Sequence, residues 1–235
     1  MIPWILLDSA PVPGGSSELR LWRRGAEFSI RLGRDELMNS RLSGSEEALA
    51  TIACERIRSK APQLLIGGLG MGFTLRAALS ALGPDARVTI AELVPAVIRW
   101  ARGPMAKVFG DSLADPRVRI HETDVGQLIR SGRSTSDAIL LDVDNGPEGL
   151  TRDANHVLYD LQGLTAARTA LRPGGVLAVW AAKPDLKFSQ RLRQAGFDVD
   201  EIMVRANKAR AGAKHTIWIA TRDSRNMTRS DNESK

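Results

Sequence analysis

A cluster of glycines after a short apolar run is the clearest chemical signal in the sequence. Gln63–Gly67 is typical of a buried strand, and Gly68, Gly70 and Gly72 follow it at the start of a predicted helix. Glycines allow a sharp turn and a close approach of the backbone to a ligand, while a helix N-terminus presents unpaired N–H groups. Such a turn can also serve helix packing alone, so these residues favour packing and ligand binding equally.

Acidic residues follow the neighbouring predicted strands. Glu92 ends the next strand, 20 residues after Gly72, where a carboxylate can accept both hydrogen bonds of a ribose diol. Asp124 follows the third strand and could accept from an adenine amino group, although capping the next helix explains it equally well. Asp142 and Asp144 follow the fourth strand, in a turn of the kind that Asp often caps. Ligands of open α/β sheets bind beyond the carboxyl ends of the strands, so we expect these acids to surround one crevice.

Other familiar catalytic patterns are missing from the sequence. It has no GxxxxGK[ST] phosphate loop, no GxSxG elbow and no Cys/His cluster with zinc spacing. We therefore expect neither nucleotide hydrolysis nor a metal site. The remaining chemistry is direct displacement on an activated donor such as the sulfonium of S-adenosylmethionine, for which a protein mainly supplies position and electrostatics.

The elements that would position these residues form an α/β pattern from residue 62 onward. Six apolar runs predict strands, at 63–67, 87–92, 117–121, 137–142, 176–180 and 197–204, with helical patterns between them. A seventh, 215–220, follows the basic run 205–214 without a helix, so we expect it to pair antiparallel. The prediction is a seven-stranded, mostly parallel Rossmann-like sheet of the class I methyltransferase type, covered by helices.

Two further segments flank this domain. Residues 4–33 alternate with period two between turn residues and predict a small antiparallel hairpin unit, which must dock on the parent domain or on a second subunit. Residues 44–60 predict a helix capped by Ser45. We place the hairpin unit at 1–43, the nucleoside-binding domain at 44–221 and a disordered polar tail at 222–235.

Composition limits the partners only broadly. The chain has 235 residues, a net charge of +6 and a pI of about 10, but its arginines are dispersed and the run 205–214 is typical of a solvated loop. We therefore do not expect nucleic-acid binding. A single cysteine, Cys54, suits a reducing cytoplasm, and no apolar stretch is long enough for a membrane span. A homodimer is a weaker expectation for the hairpin unit.

Several segments together resemble the spermidine synthase family, the polyamine aminopropyltransferases. They cover roughly residues 63–180 and read LLIGGLGMGFTLRAAL, VTIAELVPAVI, ADPRVRIHETD, DAILLDVDNGPEG and LRPGGVLAV. The hairpins also have a counterpart in that family. The resemblance implies that the glycines hold the donor, that Glu92 binds the ribose hydroxyls, that Asp124 binds the adenine and that Asp142 orients and deprotonates the attacking amine.

The sequence departs from the family pattern where a polyamine charge would be recognised. Met71 stands where the family's glycine loop typically carries an acid, which faces the cationic amine of the donor. The family's Tyr-His-Glu signature is replaced, in an ungapped comparison, by Ala48-Leu49-Ala50. The Asp-rich segment is shortened to Asp142–Pro147. Because Met71 is neutral, we expect poor discrimination between S-adenosylmethionine and its decarboxylated form.

Three functions fit these residues. The first is a spermidine-synthase-like transferase with a small amine acceptor, in which Asp142 and Asp144 face the acceptor and the product is methylthioadenosine. The second is a methyltransferase on the same fold, which releases S-adenosylhomocysteine. The third is a module without catalysis that binds a nucleoside or a partner. Turnover separates the third function from the others, and the donor used separates the first two.

Overall fold

The computed structural model describes residues 2–14, 17–143, 147, 157–206 and 213–224. The strands are β1 Ile5–Pro11, β2 Glu18–Arg24, β3 Glu27–Leu32, β4 Asp35–Asn39, β5 Gln63–Gly67, β6 Arg87–Glu92, β7 Val118–Glu122, β8 Ser136–Leu141, β9 Leu171–Ala181, β10 Phe197–Arg205 and β11 Lys214–Arg222. The helices are α1 Gly44–Glu55, α2 Phe73–Ala81, α3 Pro95–Arg102, α4 Ala106–Phe109, α5 Val125–Ser131, α6 Leu161–Ala170 and α7 Leu186–Gln194, with a 3₁₀ turn at Gly110–Leu113.

The large sheet has the strand order β10-β11-β9-β8-β5-β6-β7 among the described residues. The five strands from β9 to β7 are parallel, whereas β11 pairs antiparallel with both β9 and β10. Short strand-helix links force neighbouring strands to run in parallel, and the last strand returns from β10 without a helix. The predicted fold class, including the antiparallel last strand, is confirmed.

Two apolar cores cover the two faces of this sheet. One contains buried residues of β1 to β3 and of α1, α2 and α3, and the other contains those of α5, α6 and α7. The strands between them are apolar on both faces, as Ala138–Leu141 shows with at most 1% exposure. The carboxyl ends of β5, β6 and β8 therefore meet at one edge of a rigid, fully buried platform.

The hairpin unit is a four-stranded antiparallel sheet, β1-β2-β3-β4, one strand longer than its alternating pattern indicated. Leu21 and Ile30 are at most 1% exposed because they lie in the same core as α1 to α3. The small sheet is thus docked on its own domain. Whether it also joins a second subunit stays a prediction, as do the domain limits at residues 43 and 221.

Other local expectations need correction or lie outside the described residues. Helix α1 starts at Gly44, ends at Glu55 and has Ser43 as its N-cap, so the predicted cap at Ser45 is wrong. The basic run joins two paired antiparallel strands, but 207–212 lie outside the described part of the chain, as do 225–235 of the predicted tail. Among the described residues, no helix is both long and apolar enough to cross a membrane.

Candidate active site

The glycine loop lies between the ends of three strands and under the small sheet. Gly68 has φ +88°, and a Cβ there would lie 2.6 Å from the backbone oxygen of Asp142. Gly70 has φ +50°, and its Cβ would lie 2.9 Å from the sulfur of Met38 in β4. Both glycines line a cavity at the carboxyl edge of the large sheet. Their missing side chains let β8 and the small sheet approach the loop closely.

Glu92 ends β6 inside this cavity and is only 7% exposed. One carboxylate oxygen accepts from the backbone N–H of Leu69 at 2.9 Å, and the other accepts from that of Val94 at 2.8 Å. Burial raises the pKa of Glu92, and the backbone hydrogen bonds act in the opposite direction. The backbone N–H groups of Leu69, Gly70, Leu93 and Val94 surround this carboxylate and fix its orientation in the cavity.

Asp124 also lines the cavity, from the turn between β7 and α5. It is the N-cap residue of α5, but its side chain makes no capping hydrogen bond. Its nearest cation is Arg130, at 3.9 Å from Oδ1. The side chain of Asp124 therefore does not cap α5, and the capping role that the sequence left open is not the one it has in the structure.

Asp142 follows β8 on the other side of the loop and keeps part of its surface open to the cavity. Thr74, in the first turn of α2, donates a 2.5 Å hydrogen bond to Oδ2. Burial raises the pKa of Asp142 to about 7, repulsion from Glu46 adds to the rise and the Thr74 bond opposes it. This carboxyl can therefore exchange a proton near neutral pH.

Glu46 in α1 acts electrostatically on Asp142, and the sequence comparison overlooked it. Burial raises its pKa as well, and it repels Asp142 electrostatically. Helix α1, in which Ala48-Leu49-Ala50 replaces the family signature, therefore still carries an acid near Asp142, four residues before Ala50. An ungapped comparison could not find it, and the sequence showed Glu46 only as an acid in the first turn of a predicted helix.

The other predicted site residues lie elsewhere. Met71 is 3% exposed and packs in the apolar core, so it does not face the cavity as expected. Gly72 is the N-cap of α2 with φ +74°, and a Cβ there would collide with the ring of Phe109. It shapes the helix start without lining the cavity. Asp144 lies outside the described residues.

The small sheet forms the other wall of the cavity. Its contribution is apolar throughout and consists of Val12, Leu19, Ile30, Leu32, Leu37 and Met38. Facing it are the carboxylates of Glu92, Asp124 and Asp142. An apolar wall opposite a few placed polar groups is the usual composition of a small-molecule site. The alternating pattern of residues 4–33 predicted a buried face, but not that this face would cover the crevice.

The comparisons with known proteins confirm the resemblance found in the sequence. Polyamine aminopropyltransferase 1 of Streptomyces coelicolor is 33% identical over 124 residues, which are 52% of this chain and 22% of that relative. Two crystal structures of spermidine synthase, one from Thermotoga maritima and one in complex with the transition-state analogue AdoDATO, match with a TM-score of 0.73. Each match covers 92% of this chain and 72% of the spermidine synthase chain, at 17% sequence identity.

These similarities establish the fold and the family that the chain resembles. The chain spans about a fifth of the length of the curated relative, since the match covers 22% of it. No protein-family model matches the chain. The match to the curated relative covers about half of the chain, whereas the structural matches extend over nearly the whole chain.

Proposed function

We propose that this chain is a spermidine-synthase-like transferase that moves the aminopropyl group of decarboxylated S-adenosylmethionine to an amine acceptor. The observation that carries this proposal is the carboxyl of Asp142, which is held at the cavity with a pKa of about 7. The likeness to a curated polyamine aminopropyltransferase supports the same reaction.

The nucleoside half of the donor fits the wall formed by the glycine loop, Glu92 and Asp124. Glu92 lines the cavity and is oriented by backbone N–H groups, and a carboxylate at the end of this strand can accept from a ribose diol. Asp124 makes no capping bond and can accept from an adenine amino group. Gly68 and Gly70 leave the loop free of side chains where the ligand would approach.

The reaction needs a neutral amine, and Asp142 can provide it. An alkyl amine with a pKa near that of lysine, about 10.4, binds as an ammonium that lacks a lone pair. Ionised Asp142 attracts the ammonium, with Glu46 beside it, and then takes one proton. The amine nitrogen bonds to the propyl carbon next to the sulfonium as the carbon–sulfur bond breaks. Neutral methylthioadenosine leaves, and the released proton stays on Asp142.

The small sheet supports this chemistry by excluding water. Its apolar side chains face the carboxylates, so a bound donor would lie between them. In a dry site the attraction between Asp142 and an ammonium is stronger than in water. We also propose that Asp144, which follows β8 in the sequence, contacts the acceptor.

Turnover with the decarboxylated donor tests this function. The protein is incubated with that donor and a series of primary monoamines and diamines of increasing length, and methylthioadenosine is measured by chromatography. The proposal predicts release that depends on the amine. Release that is the same with and without amine, or no release with any member of the series, contradicts it.

A further inference from the structure

A buried hydroxyl connects α1, beside the candidate site, to the first residues of β11. Ser45, in the first turn of α1, is 0% exposed. Its Oγ donates to Glu46 Oε2 at 2.7 Å and lies 2.9 Å from Nδ1 of His215 in β11. Since Ser45 does not cap its helix, this bridge is the contact that its hydroxyl makes instead.

Glu46 links this bridge to Asp142. The two carboxyls repel each other, so a proton on either one relieves the repulsion. Thr74 connects the end of β8 with α1. Its Oγ1 donates to Asp142 and lies 3.4 Å from the backbone oxygen of Glu46. Asp142, which would take the proton of the reaction, is thus followed by Glu46, Ser45 and His215 in a row of polar side chains.

His215 has the properties of an exit group. It is half-buried and keeps part of its surface in solvent, with its ring edge-on to Trp180 at 4.8 Å between centroids. Burial lowers its pKa, so the ring is neutral near pH 7 and can accept a proton. Among the charged residues of this strand pair, those next to His215 in register are Lys214, its neighbour in β11, and Arg205, opposite Lys214. Facing Glu46 are Asp142 and, from its own helix, Glu47.

We infer that Glu46, Ser45 and His215 form a proton path from Asp142 to solvent, which rests on the proposed function because each turnover leaves one proton on Asp142. The proton passes from the Asp142 carboxyl to Glu46. Glu46 donates it to Ser45 Oγ as Ser45 donates its own proton to His215 Nδ1. His215 then releases the proton on Nε2 to water, which leaves a neutral ring with its proton on Nδ1, and Ser45 again donates to ionised Glu46. The ring returns to the Nε2–H form by rotating away from Ser45 and exchanging protons with water, which gains one proton from Nδ1 and gives one to Nε2. Charge and atoms then balance, and Nδ1 can accept again.

Histidine NMR tests the path without requiring turnover. The chain has three histidines, so His215→Gln assigns the His215 signals directly. In the wild type, the ¹⁵N shifts of His215 should respond to a second titration, that of the Asp142–Glu46 pair, besides its own. Glu46→Gln removes an anion from the path, so the pKa of His215 should fall, and the second titration should vanish. Asp142→Asn should also remove it. A His215 curve that is identical in all three proteins overturns the inference.

Steady-state kinetics provide a second test of the proton path. Ser45→Ala breaks the path without removing a charge, and it should lower kcat about tenfold at low buffer concentration with little change in KM. A small buffer base such as imidazole, which can carry the proton instead, should restore the rate. A slower enzyme that buffer does not rescue would show that Ser45 only ties α1 to β11, and this overturns the path.

Ser189→Ala is the matched control. Ser189 is 3% exposed, donates to Glu201 at 2.9 Å and accepts from Trp218 at 2.7 Å, so it bridges an acid and a ring nitrogen in the other core. Its loss should lower stability without any effect of buffer on the rate. If the wild type transfers nothing, the proposed function fails, while the NMR titration still decides whether Asp142 and His215 are coupled.

Discussion

Replacing Asp142 by Asn should lower activity and raise stability at once. Burial and Glu46 raise the pKa of this carboxyl from 3.8 to about 7, so the folded protein binds its proton more tightly than the unfolded chain does. A rise of roughly three pH units corresponds to up to about 4 kcal/mol, part of which belongs to the interaction with Glu46. The native state therefore loses this stability as pH rises from about 4 through about 7.

The Asn variant avoids that loss because it carries no charge. Its amide oxygen can still accept the hydrogen bond of Thr74. Below pH 4 the two proteins should have the same free energy of unfolding, and at pH 8 the variant should be more stable by up to about 4 kcal/mol. Turnover should fall by about 10²–10⁴-fold because the amine loses its base. In the wild type, turnover should increase as pH rises through about 7.

Urea unfolding at pH 4, 6 and 8, together with methylthioadenosine release, measures both effects. Asp200→Asn is the control, because the side chain of Asp200 is 57% exposed and pairs with Arg56 at 3.0 Å, far from the cavity. It should change neither quantity appreciably. A variant of Asp142 that is less stable at pH 8 and fully active would refute the reasoning, and would show that this carboxylate only caps its turn.

Four further predictions follow from the same geometry. Glu92→Gln should weaken methylthioadenosine binding by ~1–3 kcal/mol in calorimetry, and unchanged affinity would remove the ribose role. Met71→Asp should lower the melting temperature sharply, whereas Met71→Leu should not, because the side chain is buried; a stable Asp variant with altered donor preference would contradict its core position. Gly68→Ala should reduce donor affinity or stability, since its Cβ meets the backbone of Asp142 at 2.6 Å, and a silent substitution would argue against the close approach. A chain that starts at Gly44 should lose its compact fold in circular dichroism, because β2 and β3 share the main core, and an active truncated chain would disprove this.

The sequence predicted the platform of the site well. Buried parallel strands are nearly continuous apolar runs, and the strands at 63–67 and 87–92 have the predicted limits. The acids at strand ends could be placed at one edge because parallel strands share a direction. For this reason Glu92, Asp124 and Asp142 were predicted together, and all three line the cavity.

What the sequence missed depends on packing between distant segments. Met71 precedes the left-handed helix N-cap at Gly72 and is buried in the core, which its position in the glycine loop did not reveal. Glu46 reaches the site because α1 packs beside α2, a contact that no local pattern encodes. The alternation of residues 4–33 predicted an apolar face, but its partner surface is the crevice of the same domain. Side-chain orientation and docking are tertiary properties, so composition and spacing could not supply them.

The finding on Glu46 also changes the expected choice of donor. With Met71 buried, Asp142 lines the cavity and Glu46 acts on it electrostatically, so these are the acids that we expect to meet the propyl end of the proposed donor. Two carboxyls attract a lone ammonium and repel the carboxylate of intact S-adenosylmethionine. We therefore expect the decarboxylated donor to be preferred, in contrast to the poor discrimination that the neutral residue in the glycine loop suggested.

A competition between the two donors tests aminopropyl transfer most directly. The protein receives both donors at equal concentration with the best amine of the series, and mass spectrometry identifies the modified amine and the nucleoside released. Aminopropyl transfer predicts an amine that has gained an aminopropyl group and a matching amount of methylthioadenosine. An amine that has gained a methyl group, with S-adenosylhomocysteine as the released nucleoside, would contradict it.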